Sequence, residues 1–254
     1  MLQTGIAALD RLTGGIPRRG LTQICAPPQI SSGRTTLLLS LMAQVTRAEE
    51  FCALVDASDC FDPASAGAAG VDMSRLLWVR CQRMRGIKPL EQAFRAADIV
   101  VQNGGFGLIA VDLGNIDERW VRKTPLSTWF RFARVIEKMP AALVFLLSYP
   151  AALPQHAQNR RALPSQIAQK RRNPGALELG APALPQHAQN RRALGAPAQS
   201  CAALTLQLAG SRGRWQENAN LFSGVECEFA IGRARTRKPV QSAHGCFTAN
   251  PVWA

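Results

Sequence analysis

Apolar positions over the first 150 residues follow two alternating rhythms. Four continuous apolar runs, at 21–25, 52–57, 107–112 and 141–148, predict buried strands. Between them the apolar residues recur at helical spacing. Arg34 to Arg47 places Leu37, Leu38, Leu41, Met42 and Val45 on one face. Pro89 to Val101 does the same with Leu90, Ala93, Ala97, Val100 and Val101. Leu126 to Met139 carries Trp129, Phe130, Phe132, Ala133 and Ile136, which read as core rather than as a base-stacking platform. Strands alternating with helices predict an α/β fold with a mostly parallel central sheet and right-handed crossovers. After residue 200 the period becomes two. Ala203 to Leu208 and Val225 to Ala230 alternate strictly, which predicts antiparallel, half-exposed strands at the C-terminal edge.

The stretch from 150 to 200 fits neither rhythm. Ala152-Leu153-Pro154-Gln155-His156-Ala157-Gln158-Asn159-Arg160-Arg161-Ala162-Leu163 recurs as Ala183 to Leu194, twelve identical residues at an offset of 31. Two copies do not make a solenoid. With seven basic residues and one acid from 151 to 200, the segment buries little apolar surface and is expected to be mobile. His156 and His187 are copies of one position and are weak evidence for a metal or catalysis. The predicted organisation is one domain over 1–254 with a basic insertion at 150–200.

A chain of 254 residues, 47% hydrophobic, can build one core of ordinary size. No apolar run reaches the length of a membrane span, and Met1-Leu2-Gln3-Thr4-Gly5 lacks the features of a signal peptide. The seven cysteines are scattered, without a C-x-x-C pair; Cys25, Cys52 and Cys60 read as buried, reduced thiols of a cytosolic protein. Net charge is +13, and its distribution is uneven. Residues 1–150 hold 17 basic and 13 acidic groups, a balance of +4; residues 151–254 hold 13 and 4, a balance of +9. A basic half points to a polyanionic partner, nucleic acid before membrane. A solubilising surface or a basic tail remains the plain alternative.

Two clusters could grip phosphates: Arg160, Arg161, Arg191 and Arg192 in the repeats, and Arg233, Arg235, Arg237 and Lys238 near the C-terminus. The aromatics near the second are Trp215 and Phe222, so base-specific readout is not expected. Tolerated surface-loop sequence is the alternative for the first cluster, and a solvated hairpin end for the second.

The richest chemistry lies at Ser31-Ser32-Gly33-Arg34-Thr35-Thr36, between the run 21–25 and the helix that follows. Strand, loop and helix N-terminus form an anion site, because unpaired N–H groups and the helix dipole face the loop. The spacing approaches the phosphate-loop pattern G-x-x-x-x-G-K-[ST]. Gly33 and Thr35 are present, Arg34 stands at the lysine, and Pro28 stands at the first glycine. Arginine is no equivalent of a lysine point charge. A turn that binds nothing is the alternative.

These residues resemble the RecA recombinase core, in its bacterial RecA and ImuA-type DNA-repair branch. The resemblance rests on collinear blocks: Thr4-Gly5-Ile6-Ala7-Ala8-Leu9-Asp10, Gly14-Gly15-Ile16-Pro17, the loop, Val55-Asp56-Ala57-Ser58, Gly70-Val71-Asp72, and Leu108-Ile109-Ala110-Val111-Asp112. It implies a P-loop fold, with Ser32, Gly33, Arg34, Thr35, Thr36, Asp62 and Asp112 toward nucleotide. Thr35 and Asp112 would sit on the magnesium side. By the same resemblance, the water-positioning glutamate corresponds to Ser58 and the adenine-stacking tyrosine to Ser65, with Asp59 adjacent to the former. Lysine, carboxylate and ring are thus replaced together, so no catalytic residue is assigned, and ATP with magnesium is expected to bind weakly or not at all.

The implied function is a DNA-repair and recombination accessory protein. It would bind DNA non-specifically, single strands preferred, with other repair proteins or a translesion polymerase as further partners. An active DNA-dependent ATPase and a ligand-free interaction module of the DNA-damage (SOS) response are the alternatives. The chain starts close to the core and leaves no room for a separate C-terminal domain, so a self-sufficient filament is not expected. The expected location is the bacterial cytoplasm, at the nucleoid.

Overall fold

Strand β1, Gly20–Cys25, is buried at every position, as the continuous apolar run predicts. The computed structural model describes residues 1–27, 32–81, 87–149, 202–215, 222–234 and 244–249, with 209–215, 222–225, 232–234 and 244–249 described by backbone alone. On one side β1 pairs in parallel with β5, Ala142–Leu147, from Gly20↔Ala142 to Cys25↔Leu147. On the other it pairs in parallel with β6, Leu204–Trp215, from Thr22↔Leu204 to Cys25↔Gln207. Strands β2 (Cys52–Asp56), β3 (Leu76–Arg80) and β4 (Leu108–Asp112) extend the parallel part. Strands β7 (Phe222–Ala234) and β8 (His244–Ala249) close the sheet with antiparallel pairs. The eight-stranded order is β3-β2-β4-β5-β1-β6-β7-β8.

Helices cover both faces. On one face lie α1 (Ala7–Thr13) and α2 (Arg34–Arg47). Leu9, Leu37, Leu41, Met42 and Val45 share a core there with Ile24, Leu54, Ala110, Val144 and Leu206. The short α3 (Pro63–Ala68) contributes Ala66 to the same core. The opposite face carries α4 (Lys88–Asn103), α5 (Glu118–Lys123) and α6 (Leu126–Ile136). There Leu90, Ala97, Val121, Trp129, Phe132 and Ile136 meet Val55, Val111, Leu143 and Phe145. Phe94, Trp129, Phe132 and Phe145 form an edge-to-face cluster with ring centroids 5.0–6.4 Å apart. The aromatics of α6 are therefore core.

The N-terminal motif docks α1 onto α2. Asp10 accepts from the Thr4 N–H at 2.9 Å and from its hydroxyl at 2.8 Å, and Ser40 donates to the Thr4 carbonyl at 2.6 Å. Gly5, at φ 77°, passes so close to α2 that a Cβ would overlap Ser40 and Gln44.

All four expected runs are strands and all three expected helices form. The helix expected over 126–139 ends at Ile136. The antiparallel C-terminal edge is present, and β6 adds to it. It is interior, parallel to β1 and antiparallel to β7, so Leu204, Thr205, Leu206 and Leu208 are buried and Gln207 is exposed. Strand β3 was not anticipated, because Leu76 to Arg80 forms a short, partly exposed sheet edge. Cys25 and Cys52 are buried and free, and burial pushes the Cys52 thiol up to about 12. Cys60, expected to be buried, is exposed: it lies in the turn after β2, and its thiol donates to the Ser58 carbonyl. No described helix is long and apolar enough to cross a membrane. The described residues belong to one unit. The stretch 152–200, with its repeats, falls outside them.

Trp129 tests the aromatic core. Its indole is fully buried, and its N–H finds no acceptor among the described residues. Trp129→Ala is expected to cost about 3–5 kcal/mol in denaturant unfolding. Trp129→Phe, which removes the orphan donor and keeps a ring, is expected to cost less than half of that. Equal losses would show that ring packing is not what α6 contributes.

Candidate phosphate site at the strand ends

The C-terminal ends of β1, β4 and β5 meet where the chain leaves β1 toward β2 and leaves β5 toward β6, in opposite directions across the sheet. Ligand crevices of open α/β sheets form at such points. Gly33 caps α2 there in the left-handed conformation, φ 75°, without a side-chain cap. Among the described residues the first N–H groups of α2 therefore carry no side-chain cap, and they keep the partial positive charge of a helix start.

Arg34 turns toward the sheet. One Nη donates to the Ala26 carbonyl, at 3.3 Å, and the guanidinium lies on Gly114, where a Cβ would overlap Cζ and both Nη atoms. Gly114 is itself fastened: its N–H donates to Asp112 Oδ1 at 2.8 Å, and its carbonyl accepts from the Ser148 hydroxyl at 3.0 Å. Arg34, Asp112, Gly114 and Ser148 thus join the ends of β1, β4 and β5. Burial pushes the Asp112 carboxyl up and so does the neighbouring Asp56, while the Gly114 N–H and the Arg34 charge pull it down; the net direction is up.

The other expected residues are placed differently. Ser32 is buried, Thr35 exposed and Thr36 half-buried at the start of α2. Asp62 is exposed and caps α3, accepting from the Ala64 and Ser65 N–H groups, and the Ser65 hydroxyl foremost holds its carboxyl below the usual range. Its carboxylate is thus committed to its own helix. Arg233 lies in β7 opposite Thr205. Arg160, Arg161, Arg191, Arg192, Arg235, Arg237 and Lys238 lie outside the described residues.

After β2 the chain does not run extended past Ser58. Asp56, buried, accepts from the Ser58 N–H at 3.1 Å and the Phe61 N–H at 2.8 Å, which folds 57–61 into a turn. Asp59 sits in that turn at φ 52° and takes the Arg80 fork at 2.7 and 3.0 Å. Arg80 stacks on Trp78, which meets Phe61 edge-on. Asp59 is thereby drawn to the edge strand β3.

The donor set does not suit a divalent ion. Among the described residues no three His, Cys, Asp or Glu side chains are grouped to hold one. Asp112 faces a fixed guanidinium, and both oxygens of Asp56 are taken by backbone. A magnesium ion at Asp112 would meet a like charge.

Known proteins bear on this arrangement. Residues 1–116 match the model of the RecA N-terminal domain. The chain is 37% identical over 113 residues to Protein RecA of Rubrobacter xylanophilus, covering 44% of this chain and 30% of that one. Over that stretch the chain is similar to a RecA-like core. The chloroplastic DNA repair protein recA homolog 1 of Arabidopsis thaliana is 40% identical over 110 residues, 43% of this chain and 23% of that protein. The match thus spans less than a third of these relatives. A solved RadB recombinase shares the fold at a TM-score of 0.55 and 16% identity, over 96% of this chain and 94% of that one. In this RecA-like core, Gly114, Ser148 and Asp56 are the site residues that sequence reasoning missed. Asp112-Leu113-Gly114 has the spacing of an aspartate turn and could have flagged Gly114.

Two aspartates should respond oppositely to pH. Asp62 titrates low, so its cap is in full force above the ordinary carboxylate range and is lost as pH falls through its depressed pKa. Asp112 titrates high, so its protonated form favours the fold and that benefit is lost as pH rises through its raised pKa. Asp112→Asn keeps the acceptor for Gly114 and removes a buried charge. Its Tm is expected to rise by about 2 °C at neutral pH, while Asp56→Ala, which strands two backbone donors, should lower it by several degrees. A lower Tm in Asp112→Asn would show that the Arg34 charge outweighs burial.

Proposed function

We propose that this RecA-like core serves DNA recombination and repair as an accessory protein, binding DNA without sequence preference and hydrolysing ATP weakly or not at all. One observation carries the reading: the carboxylates Asp59 and Asp62, near the water and nucleotide positions that the resemblance implies, are held by the fold itself, and Arg34 is seated against the sheet as no P-loop lysine would be. Arg34 lies on Gly114, Asp62 caps α3, and Asp59 is held by Arg80. Phosphoryl transfer depends on positioning several such groups at once, so their joint commitment supports a core that has kept the fold and given up turnover.

The DNA side of the reading rests on the resemblance, on the basic balance, and on a patch close to the site. On α5, Arg119 and Lys123 lie over Trp120, with the cations 5.6 and 4.9 Å from its centroid, and Arg122 lies over the exposed Tyr149. Basic groups beside a half-buried ring, Trp120, and an exposed one, Tyr149, suit single strands, since a base can stack where a phosphate is also neutralised. Arg233 and the basic residues outside the described regions add charge.

A DNA titration with and without ATP and magnesium tests the proposal. Binding is expected to be indifferent to sequence and to nucleotide, with a log–log salt slope of about −3.5 on single strands if about five phosphates are neutralised. Trp120→Ala should weaken single-strand binding by roughly tenfold, within the range of one lost stacking contact. Replacing Arg233, Arg235 and Arg237 by Ser should weaken all sequences alike and flatten the slope. No binding at low salt sinks the DNA reading in favour of a protein-interaction module. Turnover that disappears in Arg34→Ala would favour a working ATPase.

A further inference from the structure

The position of Arg34 does more than remove a lysine. At the end of β4, Asp112 has one carboxylate oxygen on the Gly114 N–H and a guanidinium fixed alongside. The guanidinium is admitted by a notch. Gly114 has no side chain, and its peptide is fastened to Asp112 at one end and to Ser148 at the other, so the floor of the notch cannot yield. On the opposite side the Ala26 carbonyl accepts from the same guanidinium. A cation is thus held beside Gly114, without an ion pair to Asp112 but near enough to pull its carboxyl down, and a divalent ion entering there would be repelled by it. A guanidinium also offers a fork of N–H donors that suits phosphate oxygens, which an aspartate-bound metal would otherwise neutralise.

We propose that Arg34, seated in the Gly114 notch, is the resident cation of this site, so that phosphate groups bind here without a divalent metal. The inference rests on reading the site as a phosphate site and is independent of DNA binding. Among the described residues one donor of Arg34 is spent, on Ala26, and the start of α2, which Gly33 does not cap, stands next to it. The charge balance of the site is then set within the chain: Asp112 neutralises part of Arg34, and the ligand neutralises the rest.

The test uses inorganic pyrophosphate with the full-length chain, read by thermal shift and calorimetry. At about ten times Kd, the ligand should raise Tm by roughly 2–5 °C. The rise should be the same in EDTA as in excess magnesium. Arg34→Gln should lose the shift in both. Arg34→Lys, whose compact charge cannot fill the notch, should show a shift that requires magnesium. The notch is tested separately by stability: Gly114→Ala should lower Tm by about 3–6 °C in the Arg34 protein, through overlap with the guanidinium, and by less than about 1 °C in Arg34→Ala. A wild-type shift that needs magnesium, or no shift in either buffer, overturns the proposal, as does an equal Gly114→Ala cost in both backgrounds. A magnesium-dependent shift together with salt-sensitive DNA binding would sink this inference and leave the accessory reading standing. A metal-free shift without DNA binding would do the reverse.

Discussion

The site depends on one constraint, the two-sided burial of β1. Gly20 to Cys25 is hydrogen-bonded to β5 on one flank and to β6 on the other, with helices over both faces. No residue of the strand reaches solvent, so the chain must leave at the sheet edge with its direction fixed. That exit brings Gly33 and the start of α2 over the ends of β4 and β5. A one-residue slip would turn every side chain of β1 to the opposite core, exchanging Ile24 with Cys25 and Leu21 with Thr22. Such a slip would also move Arg34 off Gly114. The packing of the sheet and the chemistry of the loop are therefore not separable.

The fold was readable because its signals are local. Continuous apolar runs name the buried strands, and helical spacing names α2, α4 and α6. The alternation after 200 reports a two-faced edge, but a period of two cannot say which neighbour a strand takes. For that reason β6 reads as an edge while it pairs with β1 as well. Strand β3 escaped because its five residues are half exposed and end in Arg80, which leaves too little pattern to read.

The site was legible in its residues and not in its directions. Gly33, Arg34 and Asp112 were recognised and do come together. The sequence could not say that Arg34 turns sideways, because that depends on a missing Cβ at Gly114, eighty positions away in the chain. Nor could it place Asp59. Two hydrogen bonds to Asp56 make a turn there, and Arg80 captures the carboxylate. In both cases the deciding contact is between segments far apart in sequence, which local periodicity does not encode.

The place of β6 has a consequence for how the chain is made. Strand β1 and its partner β5 are complete once Leu147 has been synthesised, yet the other flank of β1 is filled by residues beginning at Leu204, 57 positions later. At about 5–20 residues per second that interval is roughly 3–11 s. Throughout it, one flank of β1 presents a row of unpaired N–H and C=O groups. Such an edge is the usual template for pairing with the wrong chain. Lengthening the stretch between β5 and β6 therefore costs little in the finished fold but prolongs the exposure of a nascent one.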